Sequence, residues 1–101
     1  MATTTTTTPH AFDSTCGWQL SPKVGLRPEP FGALAYHFDT RRLLFLKSDD
    51  LVALVESLDT FATAADAIVA AVEASPTSQR SFELALATLA DGGVIEPREA
   101  S

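Results

Sequence analysis

Along this chain, hydrophobic and polar residues first alternate at a strand period and then at a helix period. From Ala33 to Phe38 two sets of side chains alternate: Leu34, Tyr36 and Phe38 on one side, Ala33, Ala35 and His37 on the other. That is the period of a β-strand. After a polar break at Asp39-Thr40-Arg41 the alternation resumes, with Leu43 and Phe45 against Leu44 and Leu46. The two strands form a hairpin, in which the strand around Tyr36 anchors the sheet. Upstream, Val24 and Leu26 share one face of an earlier strand. It ends at Arg27-Pro28-Glu29-Pro30, because proline cannot donate to a ladder and constrains the residue before it. Trp18 and Leu20 are the first residues expected to pack.

From Ser48 onward the period lengthens. Ser48 is placed to cap a helix, and Asp49 and Asp50 in the first turn complement its dipole. Leu51, Leu54, Val55 and Leu58 then recur at i, i+3, i+4 and i+7, one buried stripe. A second helix starts near Thr63, with Asp66 three residues on in the manner of a capping box, and buries Ala64, Ala67, Ile68, Ala71 and Val72. Ser75-Pro76 breaks it. A third starts near Thr77 or Ser78, buries Phe82, Ala85, Leu86 and Leu89, and stops at Gly92-Gly93, a pair suited to a left-handed C-cap. Val94 and Ile95 can fold back as a short terminal strand. The resulting fold class is α+β: a three-stranded antiparallel sheet followed by three helices, with one face buried on the helices and edge strands left, the Arg42 to Lys47 segment among them.

The ends of the chain read differently. Residues 1–17 are Thr-rich, followed by Pro, His, Ser and Gly, and are expected to form a disordered tail. Residues 18–97 form the folded domain, and residues 98–101 a flexible C-terminus. About 80 residues are close to the size at which burial only just outweighs chain entropy, which leaves little room for a deep catalytic pocket. The N-terminus has neither the basic nor the apolar region of a signal peptide, and no apolar run approaches the roughly 18 residues of a membrane span. No membrane association is expected, and a cytoplasmic location is.

Charge adds an asymmetry. The 101 residues carry a formal net charge of −6, yet five of the seven basic residues (Lys23, Arg27, Arg41, Arg42 and Lys47) sit on or beside the hairpin. Residues 23–47 hold five basic and two acidic side chains, and residues 48–101 two basic and ten acidic ones. The sheet is cationic and the helices anionic, and the acidic whole argues against nucleic acid as the main ligand, because phosphate neutralisation by Lys and Arg supplies most non-specific affinity. The cationic edge suits an acidic peptide.

No residue set reads as a catalytic or metal centre. His10 has no Cys, His or carboxylate at metal spacing, and His37 lies on the strand face opposite Tyr36. Cys16 is the one cysteine; it forms no disulfide and has no nearby cation to activate it. The Asp49-Asp50 pair is explained by the helix start. No cofactor is expected, and the chain is not read as an enzyme. The open strand from Arg42 to Lys47 is the most interesting chemical object, because its unpaired main-chain groups can take up another peptide as an extra strand. Leu44 is expected to lend one of the edge donors. The alternative is that Arg41, Arg42 and Lys47 blunt the edge against aggregation. Leu84, off the buried stripe of the third helix, is the one apolar residue there for a groove beside it.

The run LRPEPFGALAYHFDTRRLLFLKS, from Leu26 to Ser48, closely resembles the mycofactocin peptide-chaperone family, within the PqqD-like recognition elements of ribosomally made peptides. The likeness covers about residues 18–97, and Arg-Pro-Glu-Pro-Phe-Gly-Ala is its specific part. It implies a small winged-helix-like domain that binds the leader of a precursor peptide, here the mycofactocin precursor, and presents it to a radical S-adenosylmethionine (SAM) maturase. By the same resemblance the peptide adds to the third strand in the cleft beside the third helix. The docking edge is then Arg42, Leu43, Leu44, Phe45, Leu46 and Lys47. The opposing wall is Arg80, Glu83, Leu84 and Ala87, placed by the architecture of the group and not by a matched motif. Two other readings remain open: a winged-helix DNA-binding module, against which the single Arg of the third helix speaks, and a small non-catalytic adaptor.

Overall fold

In the computed structural model, residues 12–75 and 77–98 are described. The Thr-rich stretch with His10, Pro76 and residues 99–101 of the expected flexible end lie outside the described residues. The elements run β1 (Trp18–Leu20), β2 (Val24–Glu29), β3 (Gly32–His37), β4 (Leu43–Leu46), α1 (Asp49–Ser57), α2 (Ala64–Ala74), α3 (Gln79–Asp91) and β5 (Ile95–Pro97), with a 3-10 turn at Leu58–Thr60. β2, β3 and β4 form an antiparallel sheet with β3 in the centre. β1 and β5 pair as a separate antiparallel ribbon, Gln19 opposite Glu96. The α+β class with its three-stranded sheet and three helices is as expected. The ribbon adds a strand at Trp18–Leu20 that periodicity over three residues does not reveal.

Each helix begins at a side-chain cap. Ser48 Oγ accepts from Leu51 N at 3.0 Å, Thr63 Oγ1 from Asp66 N at 3.2 Å, and Ser78 Oγ from Ser81 N at 3.1 Å. These satisfy amide groups that have no partner inside the helix. At the end of α3 the left-handed residue is Gly93, with φ 79°, and Gly92 stays right-handed.

The sheet turns its smaller side chains inward. Ala33 and Ala35 of β3 are buried beside Leu46, Leu54, Val55, Phe82, Leu86 and Ile95. The strand around Tyr36 is therefore anchored through its alanines, which let α1 pack close across β3. Leu34 and Tyr36 point to the opposite, outer face, where Phe38, Leu43 and Phe45 are exposed. An antiparallel sheet covered on one side ordinarily turns polar residues to water on the other; here the outer face carries the larger apolar groups.

Hydrogen-bond parity follows from the registers. Phe38 N donates to Lys23 O, and His37 N donates to Arg42 O. Continued down β3 by antiparallel alternation, the even-numbered residues address β2 and the odd-numbered ones address β4. Gly32 closes the β2–β3 turn with φ 144°, and a Cβ there would collide with the carbonyl of Leu46 and the amide of Ser48.

Two expectations about the ends are corrected. Residues 12–17, assigned to the disordered tail, are fixed against the domain. Asp13 O accepts from Trp18 Nε1 at 2.8 Å, and the Phe12 ring lies 5.2 Å from that of Trp18. Cys16 O and Ser14 O accept from Ala64 N and Ala65 N at 2.9 and 2.8 Å. The physical reason is that α2 needs acceptors for its first amides, and this segment supplies them. Arg98, assigned to the flexible end, donates through its guanidinium to the carbonyls of Asp59, Phe61 and Ala62, and its own N–H reaches Gly17 O.

Gly32→Ala is expected to destabilise the domain by about 2 kcal/mol or more, since an L-residue at this φ is strained before any clash is counted. Urea denaturation with the matching wild type measures it. Truncation to Trp18 is expected to lower the unfolding free energy, and with it the urea midpoint, by roughly 1 to 3 kcal/mol of lost caps and packing on Trp18. An unchanged midpoint would show that residues 12–17 add nothing.

Candidate functional site

Among the described residues β4 pairs only with β3, so its far side is open. Parity decides what that side offers. Leu44 and Leu46 stand opposite Ala35 and Ala33 and spend their main-chain groups on β3. The outward N–H and C=O groups belong to Leu43 and Phe45, with Lys47 next in phase. The donor expected at Leu44 is thus corrected to its neighbours. The β2 edge is poorer, because the same parity turns Pro28, which has no N–H, outward.

Side chains follow the same alternation. Leu46 is buried, and Leu44 reaches the end of α3, where its methyl groups lie against Gly92. Leu43 and Phe45 stand on the outer face at 56% and 58% exposure. Phe31, from the β2–β3 turn, meets Phe45 edge to face at 5.6 Å between ring centroids. Phe31, Phe45 and Lys47 line a shallow hollow of about 350 Å³.

The Leu44–Gly92 contact also shows which side of α3 faces β4. At about 100° per residue, the line through Gly92 runs back through Thr88, Ala85 and Ser81. Of the wall residues expected from the resemblance, Leu84 lies about 80° from that line, Arg80 about 120°, Ala87 about 140° and Glu83 about 180°. Glu83 instead shares a hollow with Phe12, Asp13 and Ser14. The structure thus brings Leu84 nearest the β4 side and turns Glu83 away. Thr88 and Ala85 are residues that sequence reasoning missed: Ala85 reads as core and Thr88 as ordinary surface until the Leu44–Gly92 contact orients the helix.

The cations divide into two groups. Lys23 pairs with Asp39 at 2.6 Å and Arg27 with Glu29 at 3.3 Å. The hydrogen bond from Lys23, followed by its charge, lowers the Asp39 pKa, and the reciprocal bond raises that of Lys23. Arg98 is occupied by carbonyls. Arg41, Arg42, Lys47 and Arg80 have no carboxylate partner within 4.0 Å among the described residues. Three of them flank β4, and Arg80 stands on the first turn of α3.

His37 has a structural task in this region. Its Nδ1 accepts from Asp39 N and Thr40 N, both at 3.2 Å, so the ring proton sits on Nε2. The bonds shape the β3–β4 turn, in which Arg41 takes a left-handed φ of 64°. No group of three or more His, Cys, Asp or Glu among the described residues is placed to hold a metal ion. No helix among them is long and apolar enough to cross a membrane.

A small α+β domain whose β4 edge is open and flanked by cations unpaired among the described residues has the form of a module that binds other chains. The profile of the Peptide chaperone MftB family matches residues 17–96. The Peptide chaperone MftB of Mycobacterium tuberculosis is 41% identical over 88 residues, which cover 87% of this chain and 80% of that protein. Those of Mycobacterium ulcerans and Mycolicibacterium smegmatis are each 42% identical, over 89% and 85% of this chain and 82% and 83% of theirs. No solved structure gives a match. The chain belongs to the peptide chaperone MftB family. Its role is accordingly that of a peptide chaperone, a non-catalytic one, with a peptide as partner.

Two proline variants check the parity. Leu44→Pro removes a ladder bond and an inward side chain and is expected to unfold the domain, whereas Phe45→Pro removes an outward donor and is expected to keep it folded. Circular dichroism melting compares them, and a folded Leu44→Pro would overturn the assignment.

Proposed function

We propose that this protein binds the leader of a ribosomally made precursor peptide as an added strand on β4 and presents it to a radical SAM maturase in the cytoplasm. The observation that carries the reading is the open β4 edge, whose outward main-chain groups at Leu43 and Phe45 are free among the described residues and are flanked by unpaired cations. Main-chain bonds then supply affinity, and side-chain pockets on alternate residues supply specificity. Of the expected docking edge, Leu43, Phe45 and Lys47 serve as main-chain partners. Leu44 and Leu46 support the strand from the core, and Arg42 attracts acidic leader residues. On α3, Leu84 with Thr88 and Ala85 forms the apolar wall and Arg80 adds charge. Glu83 and Ala87, turned from β4, are left for contacts outside the groove. The Cys16 thiol and the histidines take no part in chemistry; the reaction belongs to the maturase.

Blunting by charge is the competing account of the edge. The outward-bonding positions Leu43 and Phe45 are themselves apolar, and the cations stand at the strand's ends. Charge or proline along the strand itself protects an edge, and here Lys47, at the strand's end, is the one pairing position that carries charge.

Isothermal titration of the protein with the precursor peptide encoded beside its gene is expected to give a one-to-one complex, and Phe45→Pro to weaken it at least tenfold while the fold persists. Affinity is expected to fall as salt rises from 50 to roughly 500 mM, because charge at an exposed edge is screened within a few ångströms at high ionic strength. No heat above dilution would sink the reading.

A further inference from the structure

The outer face of the sheet has no layer over it among the described residues, although it holds Phe31, Leu34, Tyr36, Phe38, Leu43 and Phe45. A contiguous apolar patch of this kind on a small domain marks a contact surface. Its margin at β4 carries a built feature, the Phe31–Phe45–Lys47 hollow of about 350 Å³. Phe45 and Lys47 are two residues apart on one strand and so share a face.

We infer that a peptide added to β4 is read on both of its faces, and that the outer face selects two apolar residues and one carboxylate at alternate positions. This rests on the reading of β4 as the peptide-binding edge. An added strand places side chains opposite Leu43, Phe45 and Lys47 on the outer face, with opposed Cβ atoms about 5 Å away. The residue beside Leu43 meets an aliphatic neighbour. The residue beside Phe45 enters the hollow between Phe45 and Phe31. The residue beside Lys47 meets an ammonium with no carboxylate within 4.0 Å among the described residues. The ligand class is an extended peptide with apolar, any, apolar, any, acidic residues along the strand, in either direction. The intervening side chains point to α3.

Charge selects this occupant over a second copy of the chain. Edge-to-edge pairing of two β4 strands brings a second set of Arg41, Arg42 and Lys47 beside the first, like charge against like. An acidic peptide neutralises them.

The deciding experiment titrates the same precursor peptide into wild type, Phe31→Ala and Lys47→Glu, with folding checked by circular dichroism. Phe31 lies in a turn and donates nothing to the edge, so its truncation isolates the outer face. The expected result is a loss of roughly tenfold for Phe31→Ala, as for an aromatic anchor at an interface. Lys47→Glu should lose as much, and a peptide whose facing carboxylate is changed to Lys should restore it. Should Phe31→Ala not fold, nuclear Overhauser contacts in the wild-type complex replace it. One apolar peptide side chain is expected to contact both the Phe31 and Phe45 rings. Peptide contacts confined to α3, or wild-type affinity in both folded variants, overturn the inference and leave strand addition standing. No binding by the wild type overturns the peptide reading and this inference with it.

Discussion

Because β3 bonds β2 through one set of alternate residues and β4 through the other, a single ladder assigns a role to every residue at the candidate edge. Leu44 and Leu46 are committed to β3 with both backbone and side chain. Leu43 and Phe45 are left with main-chain groups facing away from the sheet and side chains on its outer face. A one-residue slip would exchange the two sets, burying Phe45 and exposing Leu46. Gly32 holds the register from one end, since its backbone lies where a Cβ would strike Leu46 and Ser48. The turn bonded to His37 Nδ1 holds it from the other.

The same arrangement accounts for the distribution of size across the sheet. Alanine at positions 33 and 35 lets α1 lie close on β3, and the larger residues of β3 and β4 face out. For a domain this small, moving Leu34, Tyr36 and Phe45 out of the core gives up burial that it could use. The compensation comes from the periphery. Trp18, in the β1–β5 ribbon, is buried with the Phe12 ring against it, and Arg98 ties the C-terminal side of the ribbon to the connection between α1 and α2. The segment before Trp18 completes the N-terminus of α2. Residues that read as chain ends are therefore part of the fold, and the outer face is free for another chain.

How much of this was legible in advance depended on whether the information is local. Helix starts at Ser48, Thr63 and Ser78, the hairpin, and the family likeness of Leu26–Ser48 all rest on short-range patterns, and all agree with the structure and the comparisons. The β4 edge was visible as a strand beside a cluster of basic residues. The identity of its outward donors was not, because alternation defines two faces without saying which neighbours are bonded. The side of α3 that faces β4 was not legible for a similar reason. Exposed positions on a helix are evident from its buried stripe, but the side that meets β4 depends on one distant contact, Leu44 on Gly92.

Composition also misled at Phe12–Gly17, where polar and small residues resemble a linker. Their carbonyls, which every residue has, do the binding. The sequence by itself determined the helices, the hairpin and the peptide-chaperone family, because caps, periods and a distinctive run are written in neighbouring residues. Only the tertiary structure decided which face of β3 is buried, which groups of β4 face outward, and where the cations lack partners. Those depend on register and on contacts between residues far apart in the chain, and a one-dimensional pattern carries neither.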